Sequence, residues 1–248
     1  MIESCFSFAG IPVLISHQYN RIDREAEDYV SNREAKIRIS LNTEDIQYEK
    51  ERLIEQSGDK QAQRFSDGYF EFIAAQRKIS EIFPLYNCAT FHGSALSFDG
   101  EGIVFAANSG VGKSTHAELW RDVFKDRVVM INDDKPFIKI EEKTMVYGSP
   151  WNGKHHLSSN AHCELKAICF LERGEDNHIV KVNVKEVFPD LYRYIYHPQN
   201  AAAMEKTLKM IDDLLKKVSI YRLWCNTSTD AAYTAYNMIM EVSDETES

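Results

Sequence analysis

The stretch Ala107-Asn108-Ser109-Gly110-Val111-Gly112-Lys113-Ser114 combines small residues, glycines, a lysine and a hydroxyl in the order of a phosphate-binding loop. It fits the Walker A pattern with Ala in place of the first glycine. Gly110 and Gly112 permit backbone angles and close approaches that a Cβ would obstruct, so consecutive N–H groups can converge on phosphate oxygens. A helix starting near Lys113 adds its positive N-terminal end to the same cradle. The expected nucleotide-binding set is Asn108, Ser109, Gly110, Val111, Gly112, Lys113, Ser114 and Thr115. Lys113 would set an ammonium against the outer phosphates, Ser114 would offer its hydroxyl to Mg²⁺, and Thr115 supports the helix start.

Such a loop needs an acidic partner at the end of a neighbouring strand, because Mg²⁺ takes oxygen ligands. Asp133 and Asp134 follow the β-branched run Arg127–Ile131 and answer that need. Adjacent side chains can point apart, one towards metal and one towards a substrate hydroxyl, which favours a kinase over a nucleotide switch. Further on, Gly148–His156 is dense in turn formers and anion-binding side chains. It could form a loop over the phosphates, with Lys154 stabilising transferred charge and Trp151 either walling the site or packing. His155 and His156 read as parts of a solvated loop, and Arg173 as a phosphate or carboxylate partner.

These residues resemble the catalytic domain of HPr serine kinase/phosphorylase, a P-loop family whose core is related to phosphoenolpyruvate carboxykinase. The matching pieces are Phe91-His92-Gly93, Gly102–Ala107, Ser109–Ser114 and Asp133-Asp134, covering Thr90 to Lys139. A closer match is to small uncharacterised members of that superfamily with patterns like GKSTHxxLW, NDDKP and YGxPWxGK, here Gly112–Trp120, Asn132–Pro136 and Tyr147–Lys154. The resemblance implies that His92 sits near the phosphates, that one aspartate binds metal and that the other helps deprotonate the acceptor. Asp133 is accordingly assigned as base, and Asp134, with Ser114, as metal ligand; ATP and Mg²⁺ are the implied cofactors. The Gly-rich signature of true HPr kinases downstream of the aspartates has no counterpart, and the first 85 residues do not resemble their N-terminal domain. HPr as substrate, phosphorylase activity and a hexamer are therefore not carried over, and homo-oligomerisation stays open.

The elements that must position these residues can be read from hydrophobic periodicity. Cys5–Ala9 and Val13–Ser16 form a hairpin pattern around Gly10 and Pro12, and Lys36–Leu41 alternates like a half-buried strand. Thr43–Gln56 and Tyr69–Phe83 have helical spacing, separated by a polar stretch read as a loop. Phe98–Gly102 marks a hairpin into the strand Ile103–Ala106, and a helix with Leu119, Trp120, Val123 and Phe124 follows. Lys135–Ile140 with Thr144–Tyr147 forms another hairpin, Leu165–Leu171 a buried strand, and Ala201–Val218, Ile220–Trp224 and Asp230–Met240 a helix, strand and helix. The expected class is α/β, with α+β character at the N-terminus: a P-loop core sheet of the HPr-kinase/carboxykinase type with flanking helices. Residues 1–85 are expected as a strand-and-helix region for substrate recognition, and residues 86–248 as the kinase-like core.

Composition narrows the partners. The 248 residues are 44% hydrophobic and 27% charged, as in a folded globular protein, and carry a net charge of −9. That balance argues against a general grip on nucleic acid. Five scattered cysteines without a CxxC pair signal neither a disulfide framework nor a zinc site. The N-terminus reads as strands rather than a signal peptide, and no run reaches the ~20 apolar residues of a membrane span, so a cytoplasmic location is expected. The leading expectation is an ATP-dependent kinase acting on a hydroxyl, serine of a peptide or protein or else a small-molecule alcohol. Carboxykinase-like metabolic chemistry and a nucleotide-binding module without turnover stand as alternatives.

Overall fold

The computed structural model describes residues 1–108 and 110–240, with the backbone alone at Val184 and Lys185. β1 (Ile2–Phe8) and β2 (Ile11–His17) pair as an antiparallel hairpin, and β3 (Ile37–Ser40) joins β2 in parallel. The crossover to β3 carries α1 (Arg21–Glu25). α2 (Thr43–Ser57) starts at a capping box in which Asn42 and Asp45 each accept the other's backbone N–H. The polar stretch after it, read as a loop, contains the one-turn helix α3 (Asp59–Ala62), and α4 (Asp67–Ile82) is capped by Ser66.

The remaining strands among the described residues form one mixed nine-stranded sheet. Its elements in chain order are β4 (Cys88–Thr90), β5 (Ser94–Phe98), β6 (Glu101–Ala106), α5 (Lys113–Phe124), β7 (Val128–Asn132), β8 (Phe137–Ile140), β9 (Thr144–Tyr147) and β10 (His162–Arg173), followed by β11 (His178–Lys181), α6 (Val184–Tyr194), α7 (Ala201–Lys217), β12 (Ser219–Cys225) and α8 (Asp230–Met240). The path β4-β8-β9-β10-β6-β5-β7 branches at β10, which pairs with β9 at its start and with β12 further along, while β6 lies on its other edge. A single long strand thus serves two neighbours on one side. Pairing of β6 with β10 and of β10 with β12 is parallel.

Both faces of this sheet are covered, which is why its central strands read as continuous apolar runs. Along β6 and β10 the alternation splits cleanly. Val104, Ala106, Ile168 and Phe170 pack with Val187, Leu191, Met210 and Leu214 of α6 and α7. Ile103, Phe105, Ala167, Cys169 and Leu171 pack with Trp120 of α5 and Ala232 and Ala235 of α8. Emptying one of these positions, as in Phe105→Ala, costs about 3–5 kcal/mol. The three-stranded sheet and α4 form a further core that also takes in Phe137 and Trp151. α6 escapes the periodicity reading because Val180, Val182 and Val184 alternate like a strand and Pro189 lies inside the helix. Among the described residues no helix is long and apolar enough to cross a membrane.

Candidate phosphoryl-transfer site

Three chain segments converge on one edge of the large sheet because of strand direction. β7 pairs antiparallel with β5, and β5 antiparallel with β6, so β6 and β7 end on the same edge. The loop 107–112 leaves β6 there and the Asp133-Asp134 pair follows β7. The strand bearing the acids was expected beside β6; β5 stands between them instead. That interposed strand has a consequence. Running the opposite way, β5 begins where the others end and delivers His92 and Gly93 to the same edge. A Cβ on Gly93 would come within 2.8 Å of the Phe105 carbonyl oxygen, so only glycine lets this segment lie so close to β6. The Gly93 N–H donates to the Asp134 carbonyl at 3.1 Å, and the His92 N–H to that of Tyr194 at 2.7 Å.

The loop itself turns through Gly112, whose φ of 120° suits glycine. Arg173, at the end of β10, donates from Nη2 to the Gly110 carbonyl at 2.6 Å, and the Tyr194 hydroxyl donates to Asn108 Oδ1 at 3.2 Å. Arg173 thus holds the loop backbone. Ser109, one of the expected binding residues, lies outside the described residues. Among the described residues α5 starts with no side-chain cap, and no acidic residue lies in its first turn, so its positive end is left open.

Four charged or titratable side chains meet at the mouth of this loop. Lys113 Nζ lies 3.4 Å from His92 Nε2 and 3.5 Å from the Ala107 carbonyl oxygen. Asp134 places Oδ1 3.2 Å from the same His92 nitrogen and Oδ2 3.3 Å from Lys135 Nζ. A proton on His92 Nε2 completes the bond to Asp134, and its absence lets Lys113 donate there instead. Burial lowers the Lys113 pKa, with the charge of Asp134 opposing. For Asp134 burial alone would raise the pKa, but the His92 hydrogen bond and the Lys135 charge outweigh it and hold the carboxyl at about 2. Asp134 is a firmly ionised carboxylate.

Asp133 has different surroundings. It is buried, its Oδ1 accepts the Gly153 N–H at 2.6 Å, and its Oδ2 has no hydrogen-bond partner among the described residues. With Ser94, Ser114, Glu118, Arg121 and His155 it lines a small cleft along one face of α5. The two carboxylates diverge because Asn132, fully buried between them and the next loop, pins the backbone. Its Oδ1 accepts the N–H groups of Asp134 and Lys135, and its Nδ2 donates to the carbonyls of Ser149 and Trp151.

The structure thus brings His92, Lys113 and Asp134 together, and sets Asp133 beside Ser114 on the adjoining cleft. Thr115 lies on the opposite side of α5, lining a second, larger cleft with His116. Lys154 is exposed on its loop and makes no hydrogen bond or ion pair among the described residues. Trp151 walls nothing: it is buried against Phe8, Phe72 and Phe137, and its indole N–H donates to the Phe72 carbonyl at 2.9 Å. Sequence reasoning did not single out Lys135, Tyr194 or the pinning role of Asn132. Asn132 carried a signal, an amide ending a strand immediately before two acids; Tyr194 carried none, since its helix was not read. No group of three or more His, Cys, Asp or Glu among the described residues could hold a metal by itself.

No family model and no curated protein matches the chain. Among solved structures it is similar to the Hpr(Ser) kinase/phosphatase from Coxiella burnetii, at 10% identity over 62% of this chain and 97% of that one, with a TM-score of 0.35. That is a distant likeness.

Proposed function

We propose that this chain is a phosphotransferase. It holds Mg²⁺-bound ATP by its phosphates on Ala107–Ser114 and passes the terminal phosphoryl group to a hydroxyl, serine of a peptide or protein being the expected acceptor. The observation that carries this reading is the divergence of the two aspartates. Asp134 stands among cations at the loop mouth beside Lys113, whereas Asp133, on the cleft that Ser114 shares, keeps one buried oxygen without a hydrogen-bond partner among the described residues. A buried carboxylate oxygen without a partner is costly unless a ligand completes it.

The residues fit Mg²⁺, which binds through one or two carboxylates plus phosphate oxygens rather than an all-protein cage. Ser114 and Asp134 would hold it, and it would neutralise charge on the phosphates. Loop N–H groups and Lys113 fix the donor, and the open N-terminus of α5 favours its negative charge. The acceptor hydroxyl attacks the terminal phosphorus as the bond to the bridging oxygen breaks. The electron pair leaves with the nucleoside diphosphate, and the hydroxyl proton passes to Asp133. Asp134, held near pKa 2, is a poor base, which divides the labour between the neighbours.

Residues 1–85 are proposed as the acceptor-recognition region. Trp151 ties the loop 148–156 to α4 of that region, while Gly153, two residues on, ties it to Asp133. Terminally labelled ATP incubated with an extract of the source cells tests the function. Label should appear on an acceptor hydroxyl with wild-type protein and vanish with Lys113→Ala and with Asp133→Asn. Full transfer by both variants, or none by wild type, sinks it.

A further inference from the structure

α5 has two working faces. Ser114, Ala117, Glu118 and Arg121, spaced as one helical stripe, line the small cleft that holds Asp133. Thr115, His116 and Leu119 belong to the other stripe and line the second, larger cleft together with Arg173 and Gly174 at the end of β10 and Cys225, Asn226 and Thr227 at the end of β12. This second cleft opens beside Gly110–Gly112, at the carboxyl ends of the parallel strands β6, β10 and β12, where open α/β sheets place their ligands. A triphosphate on the loop has its reacting end on the Asp133 side, so the remainder of the donor must leave on the other.

His116 supplies an independent sign that this cleft awaits a ligand. The Trp120 indole N–H donates to its Nε2 at 3.1 Å, which places the proton of the neutral ring on Nδ1. Phe105 packs edge-on against the ring at 4.7 Å between centroids. Burial lowers the pKa of His116 to about 4, so the ring is uncharged near neutral pH. Its Nδ1 is buried and has no hydrogen-bond partner among the described residues, although the residue is only 2% exposed and its ring is locked by its neighbours. A fixed neutral donor without an acceptor has no structural use.

Resting on the phosphate-loop reading, we propose that the cleft between α5 and residues 225–227 receives the nucleoside of the donor, and that His116 Nδ1–H donates a hydrogen bond to it. The substrate class is then a nucleoside triphosphate and not a bare polyphosphate. Leu119 offers an apolar wall to the base, and Arg173 couples the cleft to the loop through the Gly110 carbonyl.

Calorimetric titrations with Mg·ATP and with Mg·tripolyphosphate separate this inference from the reading beneath it. Wild type should bind ATP at least about tenfold more tightly than tripolyphosphate. His116→Phe keeps the ring shape but removes the donor; it should weaken ATP by about 2–10-fold and leave tripolyphosphate unchanged. His116→Asn, with an amide N–H near the Nδ1 position, should recover most of the loss. Equal affinities of wild type for the two ligands, or an equal loss of both in His116→Phe, overturn the nucleoside site while leaving the phosphate loop standing. Failure of wild type to bind either ligand overturns both. Wild-type protein photolabelled with 8-azido-ATP gives a test that no variant's folding can confuse: label should fall on the two walls of the cleft, the tryptic peptide Ser114–Arg121 and the one after Arg222, and label confined elsewhere overturns the inference.

Discussion

Two clusters of charge in this molecule have similar ingredients and opposite states of completion. In the N-terminal region Glu49 accepts from Arg52 and Arg77, and Asp45 accepts from Arg77, Lys78 and the Asn42 backbone. Every carboxylate there is answered. Among the described residues, Lys113 at the loop mouth finds only a histidine nitrogen and a distant carbonyl, and Asp133 on the adjoining cleft keeps one oxygen without a hydrogen-bond partner. The first cluster fastens α2 to α4; the second is stocked with groups that a ligand would complete. Folding alone rewards the first arrangement, and the second persists only where something besides stability selects it.

The sharpest way to break this contrast is to exchange its expected outcomes. Lys113→Ala should lower phosphoryl transfer by about 10³-fold, measured as labelled product, with little change in melting temperature. Asp133→Asn should lower transfer by about 10²–10⁴-fold, the range of a lost general base, while melting at the same or a higher temperature, since an unpartnered buried charge has been removed. Arg77→Met should do the reverse. It leaves the buried Glu49 carboxylate with Arg52 alone and should cost about 3 kcal/mol in denaturant titrations, the low end for a broken buried pair because Arg52 remains and 21% of the Arg77 side chain is exposed. A destabilised Asp133→Asn protein with full activity would erase the distinction.

Acid sharpens it further. Asp134 has a folded-state pKa of about 2, below its unfolded value of about 3.9, so its contribution to stability is fully present above about pH 4 and is lost as pH falls towards 2. Asp134→Asn should therefore flatten the fall in melting temperature across that window. The smallest effect belongs to Tyr194→Phe, which frees Asn108 from one hydrogen bond and should raise the KM for ATP by about 2–5-fold with kcat little changed.

The local ingredients of the site were legible in sequence because their chemistry is local. A glycine at 112, a lysine at 113 and a hydroxyl at 114 define a loop whatever surrounds them, and the apolar runs of β6 and α5 announce the strand and helix that flank it. What sequence could not supply was adjacency created by topology. That β5 lies between β6 and β7, and so carries His92 to the loop, depends on pairings across the whole sheet. Trp151 sits in a turn-rich stretch that suggests a rim, yet the aromatic cluster of Phe8, Phe72 and Phe137 that buries it is assembled from distant segments. His116 stands in the GKSTHxxLW pattern with no task legible from it until Trp120 fixes its tautomer and the fold leaves its other nitrogen without a partner among the described residues.

The central claim is that Lys113 and the surrounding loop hold the phosphates of ATP. Calorimetric titration of Mg·ATP into wild type and Lys113→Ala, with circular dichroism confirming equal folding, tests it most directly. The account predicts one saturable site in wild type and at least about tenfold weaker binding in the variant, as expected for loss of a charge-assisted contact. Equal affinity in the two proteins, or no binding by wild type, would contradict it.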